Sequence, residues 1–190
     1  MKKTGALIIG GSAGSLDVLL KVLPQINRHL DFPIIIVIHR KQGADSLLTD
    51  LLTHRTNLKV KEADEKEAIR DGYIYIAPSD YHLLVEKNFT FSLDYSEKVN
   101  YSRPSIDVTF QSASDVYGPS VVCLLLSGSN ADGVNGLIFA KRNGGITLAQ
   151  DPSSAQVAYM PEQAILKANV SEVLKIEEMA NYINSLSTNN

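Results

Sequence analysis

The 190-residue chain has one cysteine, Cys123, so it can form no internal disulfide, and a small disulfide-stapled scaffold is excluded. It lacks a dominant charge of either sign: 18 Lys and Arg against 21 Asp and Glu give a formal net charge of -3. That balance supplies no overall attraction for nucleic acid or an anionic membrane surface, and neither is expected as a partner. No apolar stretch approaches the roughly eighteen residues that span a bilayer. Met1-Lys2-Lys3 has the charge of a signal-peptide start, but the apolar run behind it is short and ends at Gly10-Gly11. Repeats and low-complexity tracts are missing as well. These absences leave one globular domain over 1–190, in the cytoplasm and without membrane insertion.

What is present is an alternation of short apolar runs and amphipathic stretches, the mark of βα units around a mostly parallel sheet. Ala6 to Ile9 reads as a buried strand, followed by a helix carrying Leu16, Leu19, Leu20 and Leu23 and ending near Pro24. Ile34 to Ile38 is a second strand, a helix is expected from about Ala44 to His54, and Leu58 to Val60 follows it. Tyr73–Ile76, His82–Val85 and Phe89–Leu93 lie close together, which suggests an inserted antiparallel hairpin or meander. The regular pattern returns with a helix from Ile106 to Val116, a strand from Val121 to Leu126, a helix after Gly133 and a strand from Ile146 to Ala149. One or two helices and a strand near Val173 complete it. The charged run Lys59 to Asp71 reads as a solvated connection, and Cys123 as a small buried hydrophobe. The expected fold class is therefore α/β: a doubly wound, mostly parallel sheet with an inserted antiparallel hairpin and helices on both faces.

Gly10-Gly11-Ser12-Ala13-Gly14 joins the first strand to its helix and fits G-x-S-x-G, in which a strained turn exposes the serine hydroxyl. A dinucleotide fingerprint does not fit, since Ser12 and Ser15 stand where its second and third glycines belong. A serine nucleophile needs a base and a group to orient that base. Of four histidines, His29 and His54 fall in or beside amphipathic helices, and His82 opens a hairpin strand. His39 differs because it ends a buried strand, as Ser12 does, and open α/β sheets bind ligands outside those strand ends. Two carboxylates also follow strands, Asp132 and Asp151, and spacing does not choose between them. The order Ser, His, Asp separates the chain from the α/β-hydrolases, whose order is Ser, Asp, His.

Six separated segments then resemble the catalytic domain of the chemotaxis-receptor glutamate methylesterases of the CheB type. They are Ile9-Gly10-Gly11-Ser12-Ala13-Gly14, Val37-Ile38-His39, the run from Tyr75 to His82, Arg103-Pro104-Ser105-Ile106-Asp107, the run from Leu126 to Gly133, and Ala149-Gln150-Asp151-Pro152 leading to Met160-Pro161. By position, the resemblance implies Ser12 as nucleophile, His39 as base and Asp132 as acid, with backbone N–H groups of Ala13 and Ser129 as oxyanion donors. It also implies His82, Arg103 and Asp151 as residues bordering the cleft, no metal or organic cofactor, and a methylated helical receptor or other signalling protein as substrate. Glutamine deamidation by the same machinery is a related expectation.

Two departures from that family pattern bear on biology. The usual member carries a receiver domain and linker that have no counterpart before Met1, so the expectation is a catalytic domain that is either free-standing or excised from a larger protein, with a separate receiver-type protein as a candidate regulator. Arg40-Lys41 stands where the family commonly has Met-Pro, putting charge at the site mouth. The competing readings are a non-enzymatic signalling or binding module of the same fold and a hydrolase of another ester.

Overall fold

In the computed structural model the described residues are 3–40 and 45–188, with the backbone alone for 45 and 46. Seven strands form a wholly parallel sheet: β1 (Ala6–Gly11), β2 (Ile34–Ile38), β3 (Lys59–Glu62), β4 (Tyr73–Ile76), β7 (Val121–Leu125), β8 (Ile146–Gln150) and β9 (Glu172–Leu174). Their spatial order is β3-β4-β2-β1-β7-β8-β9. Strands β5 (His82–Val85) and β6 (Phe91–Asp94) make a separate antiparallel hairpin.

Both faces of the central strands are covered, so those strands are apolar at every position rather than alternating with polar residues. Leu7 and Ile9, Ile34 and Ile36, and Val122 and Leu124 join one core with Val18, Leu19 and Val22 of α1 (Ser15–Val22), Leu48 and Leu52 of α2 (Asp45–Thr53), and Met179 and Ile183 of α6 (Ile176–Ser185). The intervening residues Ala6, Ile8, Ile35, Val121, Cys123 and Leu125 join a second core on the other face. There they meet Ile106 and Phe110 of α3 (Ile106–Tyr117), Leu137 of α4 (Val134–Arg142), Met160 of α5 (Tyr159–Gln163) and the hairpin residues Leu83 and Phe91. The two-residue period of the pleat thus divides one set of strands between two cores.

Two sequence expectations need correction. Tyr73–Ile76 belongs to the parallel sheet, paired with β2 and β3, and not to the antiparallel insertion. The charged run from Lys59 is not merely a connection, because its first four residues form the edge strand β3. Lysines at a sheet edge discourage pairing with another chain. Ala44, the expected start of the second helix, lies outside the described residues, as does Lys41.

Candidate active site

Because β1 lies between β2 and β7, the carboxyl ends of these three strands bring Ser12, His39 and the loop 126–133 to one edge of the sheet. Gly11 pairs with Ile38, and the His39 N–H donates to Gly11 O at 3.2 Å, which sets His39 beside the serine turn. The Ser12 N–H donates to Ser127 O at 2.9 Å, tying that turn to the end of β7. Ser15 Oγ donates to Ser12 O at 2.6 Å and closes the turn that leads into α1. Gly14 is left-handed at φ 83, which glycine adopts without strain, and Ser12 is not among the positive-φ residues. Among the described residues Ser12 Oγ has no hydrogen-bond partner.

His39 Nε2 lies 2.7 Å from Asp132 Oδ2, and the Asp132 side chain is 0% exposed against 12% for His39. A buried carboxylate is tolerated only with many donors. Asp132 has them: Oδ2 also accepts from Ile106 N–H at 2.7 Å. Oδ1 accepts from Ser105 Oγ at 2.9 Å, Asn100 Nδ2 at 3.0 Å, and the N–H groups of Asp107 and Gly133 at 3.1 Å each. Two of these donors are the first N–H groups of α3, where a helix favours negative charge. Burial pushes the carboxyl up, but the bonds from His39, Asn100 and Ile106 outweigh it and hold Asp132 below its ordinary range. An ionised Asp132 accepts only, so the neutral imidazole carries its proton on Nε2 and presents the Nδ1 lone pair.

The Ala13 and Ser129 N–H groups have no acceptor among the described residues. Their loops approach closely at Gly128, where an added Cβ would fall 3.1 Å from Ser12 Cβ and 2.5 Å from Met160 Cε. A cleft of about 610 Å³ opens beside His39, lined also by Arg40, Asp80, Lys98, Tyr101, Ser102 and Arg103. A second, more apolar groove of about 330 Å³ runs from Ser12 and Ala13 past Leu16 and Ile38 to Leu47, Leu48 and Leu51 of α2.

Arg103 does line the cleft, with its guanidinium 2.8 Å from Asp80 Oδ1, 2.7 Å from Ser96 O and stacked 3.9 Å from the Tyr95 ring. His82 does not open onto it. At 1% exposure, His82 accepts from Ser105 N–H at Nδ1, 3.1 Å away, and donates from Nε2 to Glu97 O at 2.9 Å. It supports Ser105, which in turn holds Asp132. Asp151 caps a short turn by accepting from Ser153 N–H at 2.8 Å and is not among the residues that line the cleft. Sequence reasoning passed over Asn100, Ser102, Ser105 and Asp107 as site residues. Ser105 and Asp107 sat inside a recognised motif, whereas Asn100 and Ser102 follow the hairpin with no local signal. Among the described residues no cluster of three or more His, Cys, Asp or Glu is arranged to hold a metal ion, and no helix is long and apolar enough to cross a membrane.

The comparisons agree over nearly the whole chain. The family model for CheB methylesterase matches residues 7–183. A Leptospira interrogans relative is 43% identical across 97% of this chain and 96% of its own length. A protein-glutamate methylesterase/protein-glutamine glutaminase of Clostridium acetobutylicum is 32% identical over 94% of this chain, which spans 52% of that longer protein. The crystal structure of the Thermotoga maritima CheB methylesterase catalytic domain superposes with a TM-score of 0.92 at 30% identity, covering 97% of this chain and all of that one. With this fold, and with Ser12, His39 and Asp132 gathered at one sheet edge, the chain belongs to the CheB methylesterase family.

Proposed function

We propose that this chain hydrolyses γ-methyl esters of glutamate on a receptor or other signalling protein, and deamidates glutamine at such sites, through Ser12, His39 and Asp132. The observation that carries the reading is the 2.7 Å contact of His39 Nε2 with a buried, multiply bonded Asp132, one strand away from Ser12. Ser12 Oγ attacks the ester carbonyl while His39 Nδ1 takes its proton, and Asp132 stabilises the imidazolium. The N–H groups of Ala13 and Ser129 stabilise the tetrahedral oxyanion. The C–O bond to the methoxy group breaks, and His39 returns the proton to departing methanol. Water, deprotonated by the same imidazole, then cleaves the acyl-Ser12 ester to leave glutamate. With glutamine the leaving group is ammonia.

The test is methanol release from a methylated helical receptor fragment by the wild type and by Ser12→Ala and His39→Ala, with fluorophosphonate labelling mapped by mass spectrometry. The expected result is release by the wild type alone and a label on Ser12. A folded wild type that releases no methanol and leaves Ser12 unlabelled would refute the reading. Ammonia release from a glutamine-bearing fragment tests the second reaction. The regulator this reading expects is a receiver-type protein whose phosphorylated form raises methanol release, and the expected compartment is the cytoplasm.

A further inference from the structure

The turn Val99-Asn100-Tyr101-Ser102 closes on itself: the Ser102 N–H donates to Val99 O at 2.9 Å and the Val99 N–H to Ser102 O at 3.2 Å. Both central residues are left-handed, Asn100 at φ 51 and Tyr101 at φ 63. Asparagine tolerates that conformation, whereas tyrosine adopts it at some cost. Strained backbone of this kind concentrates at functional sites.

Two side chains of this turn reach the His39–Asp132 pair from opposite ends. Asn100 Nδ2 donates one hydrogen to Asp132 Oδ1 at 3.0 Å and the other to Asp107 Oδ2 at 2.8 Å. A neutral amide with two N–H donors can bridge two buried carboxylates without adding charge. Ser102 Oγ lies 3.4 Å from His39 Nδ1. Since Nε2–H faces Asp132, Nδ1 is the acceptor and the Ser102 hydroxyl donates to it.

We propose that Asn100 and Ser102 are positioning residues of the reaction: Asn100 fixes Asp132 by bridging it to Asp107, and Ser102 holds His39 Nδ1 toward the cleft until Ser12 takes its place. The inference rests on the triad reading above. It explains why a strained turn packs against the buried His39–Asp132 pair, and why the imidazole is held at both nitrogens. Between the two, Tyr101 is 98% exposed on the cleft rim.

Asn100→Gly is the informative variant, because glycine adopts a positive φ without strain and only the amide is lost. Its kcat for methanol release is expected to fall about tenfold with KM within about twofold, and Ser12 labelling by fluorophosphonate to slow in parallel, as for misoriented catalytic groups. Ser102→Ala is expected to lower kcat about fivefold on the same basis. Ser102→Thr restores the hydroxyl and the rate, while Ser102→Val, of the same shape, does not. A purely structural role would be served equally by threonine and valine, so equal rates for the two overturn the assignment of Ser102. Wild-type kcat in Asn100→Gly overturns that of Asn100. Absence of methanol release and of Ser12 labelling in the wild type overturns the triad reading, and this inference with it.

Discussion

At the scale of single residues, Asp132 combines no exposure with six hydrogen-bond donors, and its replacement by an isosteric amide is informative. In Asp132→Asn, whichever way the amide turns, its NH2 faces N–H or O–H groups that need an acceptor. Breaking a buried pair in this way costs about 3 kcal/mol, and loss of the imidazole's anionic partner is expected to lower kcat about 10³-fold or more. Thermal unfolding and methanol release check both. Asp151→Asn is the contrast, since asparagine caps a turn equally well and the change is expected within about 0.5 kcal/mol of wild type. Asp132→Asn folding and turning over like Asp151→Asn would remove Asp132 from the role. From the sequence, Ser12 and His39 were legible because each ends a buried strand. By spacing the two aspartates were tied, because each also follows a strand, and only the family resemblance favoured Asp132. What separates them comes from far along the chain: the first N–H groups of α3, the Ser105 hydroxyl and the Asn100 amide. His82 showed as a polar residue on a strand, but its orientation depends on Glu97 O and Ser105 N–H, and neither is visible in a two-residue period.

At the scale of elements, strands buried on both faces were read almost to the residue, whereas Tyr73-Ile74-Tyr75-Ile76 was grouped with the wrong neighbours. A run of four residues can pair with β2 or with a hairpin, and only the register Ile34 to Ile74 and Lys59 to Tyr73 decides. The contact of α3 with α4 matters more to the site, because α3 carries the N–H groups that hold Asp132. It depends on Gly136, where an added Cβ would fall 2.5 Å from Phe110 Cβ and 3.2 Å from Asp107 Cα. Those atoms belong to the helix frame and cannot swing aside. Gly136→Ala gains about 1 kcal/mol of helix propensity, but overpacking at a fixed contact costs about 1–3 kcal/mol. The clash is expected to win by about 1 kcal/mol, lowering the thermal midpoint by about 3 °C. The Gly136 N–H also donates to Asp107 Oδ1 at 2.6 Å, so a shift there bears on Asp107, Asn100 and Asp132. A fall in kcat together with the lower midpoint is therefore expected, and an unchanged midpoint would show that the helices part freely.

At the scale of the whole molecule, one anchor of stability is set apart from the site by the length of the strands. The site lies at their carboxyl ends, while Asp31, just before β2, anchors the C-terminal segment near the opposite edge. Asp31 Oδ1 accepts from Ser187 Oγ at 2.9 Å, and its other oxygen accepts from the Thr188 hydroxyl. Nearby, Thr4 Oγ1 donates to Leu186 O at 3.2 Å. These bonds secure the chain after α6, whose Met179 and Ile183 complete one of the two cores. Burial pushes the Asp31 carboxyl up, but the bonds from Thr188 and Ser187 outweigh it and hold it below its ordinary value of 3.8. Its stabilisation is therefore fully present above that value and is lost as pH falls through the lower folded one. Asp132 acts with the same sign, whereas Asp107, pushed up mainly by burial and further by Asp132, is relieved by acid. Asp31→Ala should cost about 1.5 kcal/mol at neutral pH, the worth of hydrogen bonds to a charged group, or about 4 °C in midpoint. The gap should close in acid, as pH falls through the lowered folded value and the wild-type carboxyl becomes protonated. Methanol release at 25 °C should be unchanged, because among the described residues the side-chain partners of Asp31 are Ser187 and Thr188, at the other end of the strands. Midpoints of wild type and variant measured from pH 7 to pH 2.5 provide the check. A difference that does not narrow in acid would mean that the tie acts through packing and not through the charge on Asp31.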